Sequence, residues 1–164
     1  MQRIIKNGQV IDESWHLLPK DATLDGLPNC DDLIVPLALW VDHNKALLAR
    51  DGGLGVWLEA GEEIEEIADQ LDCFQVIALN FPAFTDGRHS STAYLLRTRY
   101  GYQGEIRAIG DVLRDQLFAL RRCGFDAFAL REDKDPLDAL KAFDDFSEVY
   151  QASSDEPQPL FRRR

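Results

Sequence analysis

Seven arginines, Arg88, Arg97, Arg99, Arg107, Arg114, Arg121 and Arg122, fall between Gly87 and Arg122, against only Glu105, Asp111 and Asp115. The stretch carries a charge of +4 in a chain of 164 residues whose formal net charge is -11, so the remainder carries -15. A guanidinium is a permanent cation with parallel N–H donors, and it grips a carboxylate, a phosphate or a sulfur oxyanion through two hydrogen bonds. The chemistry this suggests is the binding of an anion or of an acidic partner. Bond-making chemistry has thinner support. His16, His43 and His89 lack the spacing of metal ligands, and His89 beside Ser90 and Ser91 reads as loop polarity and helix capping rather than as a nucleophile with its base. Cys30, Cys73 and Cys123 form no CxxC pair, so neither a disulfide framework nor a zinc or iron-sulfur site is suggested. Cys123 ends an expected helix, where the negative dipole end disfavours a thiolate, and reads as a small buried apolar residue.

The elements that must position these side chains alternate along the chain. Ile4, Ile5 and Val10, Ile11 flank Asn7-Gly8, a pair that supplies the positive φ values of a tight turn, so a small antiparallel hairpin is expected. Residues 19–32 are rich in Pro, Gly and Asp and read as a loop. LIVPLALWVDHNKALLAR gives a short strand ended by Pro36 and a helix to about Arg50. An apolar strand around Gly55 to Leu58 leads to an acidic helix with Ile64, Ile67 and Leu71 at helical spacing. FQVIALNF is almost continuously apolar, as in a parallel strand covered on both faces. A helix from Ser91 to Tyr100, the strand EIRAI, a helix from Asp111 to Cys123, the strand DAFAL and a helix from Pro136 to Phe146 follow.

Four or more successive strand-helix units predict an α/β fold with a mostly parallel sheet and right-handed crossovers. A full eight-unit barrel takes about 250 residues, so the chain has room for an open sheet, the form favoured here, or a barrel-like half. One domain is expected over residues 1–150, with QASSDEPQPLFRRR, residues 151–164, as a loose tail.

In such a sheet the loops leaving the strand carboxyl ends share one rim. TDGRHSS after Phe81, GDVLR after Ile109 and REDKDP after Leu130 would place Arg88, Ser91, Asp111, Arg114 and Arg131 there. The competing reading is that these arginines pair with Asp86, Asp111 and Asp115 to fasten loops. Gln116 falls beside the buried stripe Leu113, Leu117, Leu120, where a buried amide must hold either a strand-end carbonyl or a ligand. Arg97 flanks the stripe Ala93, Leu96, Tyr100. Arg107 shares a strand face with Glu105 and Ile109, so either that strand is an edge or its face is not fully covered.

Composition excludes several classes. The acidic excess argues against a general nucleic-acid binder, and no run approaches the roughly 20 apolar residues of a membrane span. The first residues lack the pattern of a signal peptide, so a cytoplasmic location is expected. Gly52, Gly53 and Gly55 precede a strand, whereas a dinucleotide-binding loop follows one. The acidic run GEEIEEIADQ reads as a solvated surface.

The pattern GR..S.A.LLR.RYGY.GE.RA.GDVLRDQL..L.RCGFDAF, from Gly87 to Phe128, resembles the bacterial family called domain of unknown function nine hundred and thirty-four. The likeness extends upstream through NFPAFTDGR, GVWL and IVPLALW, covering about residues 30–131. Members are typically encoded beside the sirohaem-containing sulfite reductase of assimilatory sulfate reduction. The resemblance therefore implies an accessory or partner of that reductase, or of another sulfur assimilation protein, holding an oxyanion or an acidic surface through the arginine-rich rim. Members are sometimes labelled probable oxidoreductase, which implies redox work with a cofactor or electrons from a partner. No flavin, nicotinamide, haem or cluster motif is visible, and no cofactor is expected from the sequence. A third reading is a non-catalytic interaction module.

Overall fold

The structure is a computed structural model that describes residues 2–145 and 152–163. β1 (Arg3–Lys6) and β2 (Gln9–Asp12) form the expected hairpin, with Asn7 at φ 50 and Gly8 at φ 77 in its turn. Six further strands are parallel: β3 (His16–Leu17), β4 (Leu33–Pro36), β5 (Leu54–Leu58), β6 (Val76–Phe81), β7 (Glu105–Gly110) and β8 (Ala127–Phe128). The sheet order is β2-β1-β8-β7-β6-β5-β4-β3, with β1 antiparallel to β8. Each parallel strand therefore lies beside its successor, so the sheet is wound in one direction only.

Helices cover one face. α1 (Leu37–Leu48), α2 (Arg88–Thr98), α3 (Leu117–Cys123), α4 (Pro136–Ala139) and 3-10 turns at Ile64–Cys73 pack over the same set of strand residues, including Val35, Val56, Ile77, Leu79, Ile106 and Phe128. Ile64, Ile67 and Leu71 are buried as their spacing predicts, but residues three apart also stack in a 3-10 helix, and the segment takes that tighter form. The helix expected from Asp111 starts later, as a 3-10 turn at Arg114–Gln116 before α3. The one expected from Pro136 is α4 followed by 3-10 turns at Leu140–Asp144, and its expected end at Phe146 lies outside the described residues.

The other face holds a smaller cluster, Ile34, Trp57, Val76, Ala78 and Ile109, with Trp15 and Ala129 against it. Among the described residues no helix supplies its cover. β2 and β3 lie at opposite ends of the sheet order, which in a flat sheet would separate them by about 34 Å at roughly 4.8 Å per strand. Yet Asp12 ends β2 and His16 begins β3, a span of at most about 14 Å for four residue steps. The sheet must curl. Of the two forms left open by the sequence, it is the curled half-barrel, and residues 13–15 cross its concave face from one edge to the other. Just past β3, the Leu18 carbonyl accepts from Trp57 Nε1 at 2.9 Å.

Of the stretch read as a tail, Ser153 Oγ and Ser154 N donate to the Arg122 carbonyl, at 2.7 and 3.2 Å. Arg122 also meets Asp155, and α5 (Leu160–Arg163) follows. Gln151 and Arg164 lie outside the described residues.

Candidate functional site

The concave face carries charge at its centre. Arg107 projects there from β7 between two small neighbours, Ala78 on β6 and Ala127 on β8, which leave space for its long side chain. Its Nε donates to Glu105 Oε1 at 2.6 Å and its Nη1 to Glu13 Oε2, while Lys6 Nζ lies 2.7 Å from Glu105 Oε2. The Arg107 and Glu105 side chains are each 4% exposed. Since β7 is an interior strand, this charge reflects a face without helices, one of the two possibilities the sequence posed. Arg107 Nη2 has no hydrogen-bond partner among the described residues.

Beside this cluster lies a cleft of about 810 Å³ lined by Glu13, Trp15, His16, Arg107, Ile109 and Arg131, among others. A second groove, about 370 Å³, shares Gln2, Leu130, Arg131 and Glu132 with it and adds Arg3 and Lys134. The topology explains the meeting. β1 runs antiparallel to β8, so the start of β1 at Arg3 comes to the carboxyl end of β8, where Arg131 and Lys134 follow. Arg3, Arg131 and Lys134 thus line one groove with a single carboxylate, Glu132, among its walls. Asp133 stands alongside, 3.1 Å from Arg131 Nε and 3.5 Å from Lys134 Nζ.

The rim arginines read from the sequence do not converge in one place. Arg88 chelates Asp86 through Nε and Nη2, at 3.0 and 2.5 Å, and these hydrogen bonds hold the Asp86 carboxyl at about 2. Arg88 and Ser91 line a separate cleft of about 290 Å³ beside Glu62, Glu63 and Glu65. Arg114 meets Asp145 at 3.3 Å and lines another cleft. Arg131 does reach a predicted neighbour: its Nη1 lies 3.3 Å from Asp111 Oδ1. Asp111 Oδ2 accepts from the Phe84 amide at 2.9 Å, and Gln116 Nε2 donates to the Phe84 carbonyl at 2.5 Å. Asp111 and Gln116 together therefore clamp the loop after β6 and seat Arg131.

Arg97 lies at the other end of the sheet. It donates to the carbonyls of Tyr102 and Gly104, before β7, and of Gly124, before β8, at 2.8, 2.8 and 3.0 Å. It also sits 3.5 Å from Asp126, whose carboxyl is raised by burial against the opposing pull of the Ile106 amide and Arg97. His89, 2% exposed, packs edge-on against Phe81, and burial pushes its imidazole below the ordinary range. Cys123 is half-buried, and burial pushes its thiol up.

Glu13, Trp15, Arg3 and Lys134 carry no signal of their own in the sequence, and His16 figures there only as a histidine without metal-ligand spacing. Glu13 lies 94 positions from Arg107, so no local pattern joins them. The one available signal was the charged pair Glu105 and Arg107 on a single strand face. Among the described residues no group of three or more His, Cys, Asp or Glu is placed to hold a metal ion, and no helix is long and apolar enough to cross a membrane.

Fold and site together define an α/β half-barrel protein with a polar cleft on its concave face, open toward the carboxyl ends of its parallel strands. The family model described as "Bacterial protein of unknown function (DUF934)" matches residues 55–161, and the chain belongs to that family. No curated protein and no solved structure matches it.

Proposed function

We propose that this chain is an accessory protein of assimilatory sulfite reduction that holds a small oxyanion. The observation that carries the anion site is the meeting of Arg3, Arg131 and Lys134 in one groove at the carboxyl end of β8. The pathway rests on the family resemblance set out above. Arg131 is clamped by Asp133 through Nε and Nη2, at 3.1 Å each, and by Asp111 through Nη1 at 3.3 Å, so an anion meets a guanidinium already held in place but shares its donors with these carboxylates. Calorimetry with sulfite and sulfate tests the site: binding is expected, weakened in Arg131→Ala and in Lys134→Ala and unchanged in Arg88→Ala. No heat with either ion removes the anion reading. Growth of a deletion strain tests the pathway, with loss expected on sulfate and sulfite and recovery on cysteine.

A second reading, docking of the reductase or another sulfur assimilation protein on the rim, is favoured by Phe84 on the loop after β6 and Leu137 in α4, two large apolar side chains that are each 55% exposed. Crosslinking in sulfate-grown cells should recover that partner, and Phe84→Ser with Leu137→Ser should abolish recovery. Recovery unaffected by both changes would rule out this surface.

A further inference from the structure

The anion groove opens into a space far larger than an oxyanion fills. The adjoining concave-face cleft, about 810 Å³, lies within the roughly 300–1,000 Å³ of pockets that hold organic ligands. Its walls change along its length. Arg3, Arg131 and Lys134 stand at the rim of the shared groove. Further in, Ile109 and Ala129 supply apolar surface, half-buried Trp15 offers an aromatic ring, and Arg107 brings the amino group left free by its two glutamates. The ring of Trp15 is packed at its edge. Its backbone amide donates to Glu13 Oε1 at 2.7 Å, and Cη2 packs over Gly53, where an added Cβ would come within 2.6 Å of it. Such walls match a ligand that joins a compact anion to a flat ring with acceptor atoms on its edge.

We infer that the cleft binds a nucleoside monophosphate, with the phosphate on Arg131, Arg3 and Lys134, the base against Trp15 and its acceptor edge toward Arg107. This rests on the anion-binding reading and extends it from the ion to the organic body attached to it. Every base has a π-face, so an aromatic side chain stacks with bases of any sequence. Joining the two halves makes the second contact intramolecular, so the joined molecule binds more tightly than either half.

The test is titration of the full chain, at one ionic strength, with the four common nucleoside monophosphates, with adenosine and with inorganic phosphate. Trp40 and Trp57 are buried, 1% and 7% exposed, so the indole N–H signal of Trp15 is the expected reporter. At least one nucleotide is expected to bind roughly tenfold or more tightly than phosphate. That nucleotide should shift the Trp15 signal and lose affinity in Arg131→Ala. Trp15→Ala should remove the preference for nucleotide while leaving phosphate affinity unchanged. If phosphate binds and no nucleotide binds more tightly, the nucleotide inference is overturned and the anion site stands. If neither phosphate nor nucleotide binds, both fall.

Discussion

Arg107 and Glu13, 94 positions apart in sequence, form an ion pair across the concave face of the sheet. The pair ties the segment that bridges the two sheet edges to the middle of an interior strand. With Glu105 and Lys6 it makes a cluster in which two cations meet two carboxylates, all but Lys6 largely shielded from water. Removing one partner strands a charge away from water, whereas removing the charges together does not. Arg107→Ala should therefore destabilise the fold by about 3–5 kcal/mol in urea denaturation. Replacing Glu13, Glu105 and Arg107 together by Gln, Gln and Met should restore most of that loss. A single variant as stable as the parent would show that the cluster does not hold the bridge.

Two arginines that look alike in sequence should behave in opposite ways. Arg97 satisfies three backbone carbonyls, and Arg97→Ala should lose about 1–3 kcal/mol of stability with oxyanion affinity unchanged. Arg131 is exposed and paired only with surface carboxylates, so Arg131→Ala should change stability by no more than about 0.5 kcal/mol while weakening binding. Calorimetry and denaturation on the same samples separate the two.

Gly110 ends β7 at φ 89, a left-handed conformation costly for other residues, and an added Cβ would overlap the Asn80 side chain and the Phe81 carbonyl. Gly110→Ala should cost roughly 1–3 kcal/mol and shift the backbone amides of β6. Unchanged stability would mean that the end of this strand can rearrange freely.

Burial lowers the His89 imidazole below its value of 6.5. Below that pH the unfolded chain takes up a proton that the folded chain resists, so the unfolded state binds more protons and stability rises with pH across the interval. Stability should accordingly fall as the pH drops from 6.5 toward the folded value, and His89→Gln should flatten that part of the profile. Urea midpoints at several pH values measure it.

Much of this architecture was legible because local rules carry it. Asn7-Gly8 marked its hairpin through backbone sterics, and the apolar run Val76 to Phe81 marked a covered parallel strand. The curl was not legible. It depends on β3, two residues with no alternation to read, and on a bridge whose partners are distant in sequence. The site was legible only in part for the same reason: Arg107 and Arg131 share a cleft, but the antiparallel β1 brings Arg3 to Arg131, and strand direction is a tertiary choice. Arg88 and Arg114 belong to the same rim by topology, yet nearby carboxylates and intervening loops give each its own cleft.

The anion site is tested most directly by titrating isotopically labelled protein with sulfite and mapping the amide shifts. Saturable shifts confined to Gln2, Arg3 and residues 130–134, absent in Arg131→Ala, are the expected result. Shifts centred on Arg88 to Thr92, or none at concentrations where the ion is in large excess, would contradict it.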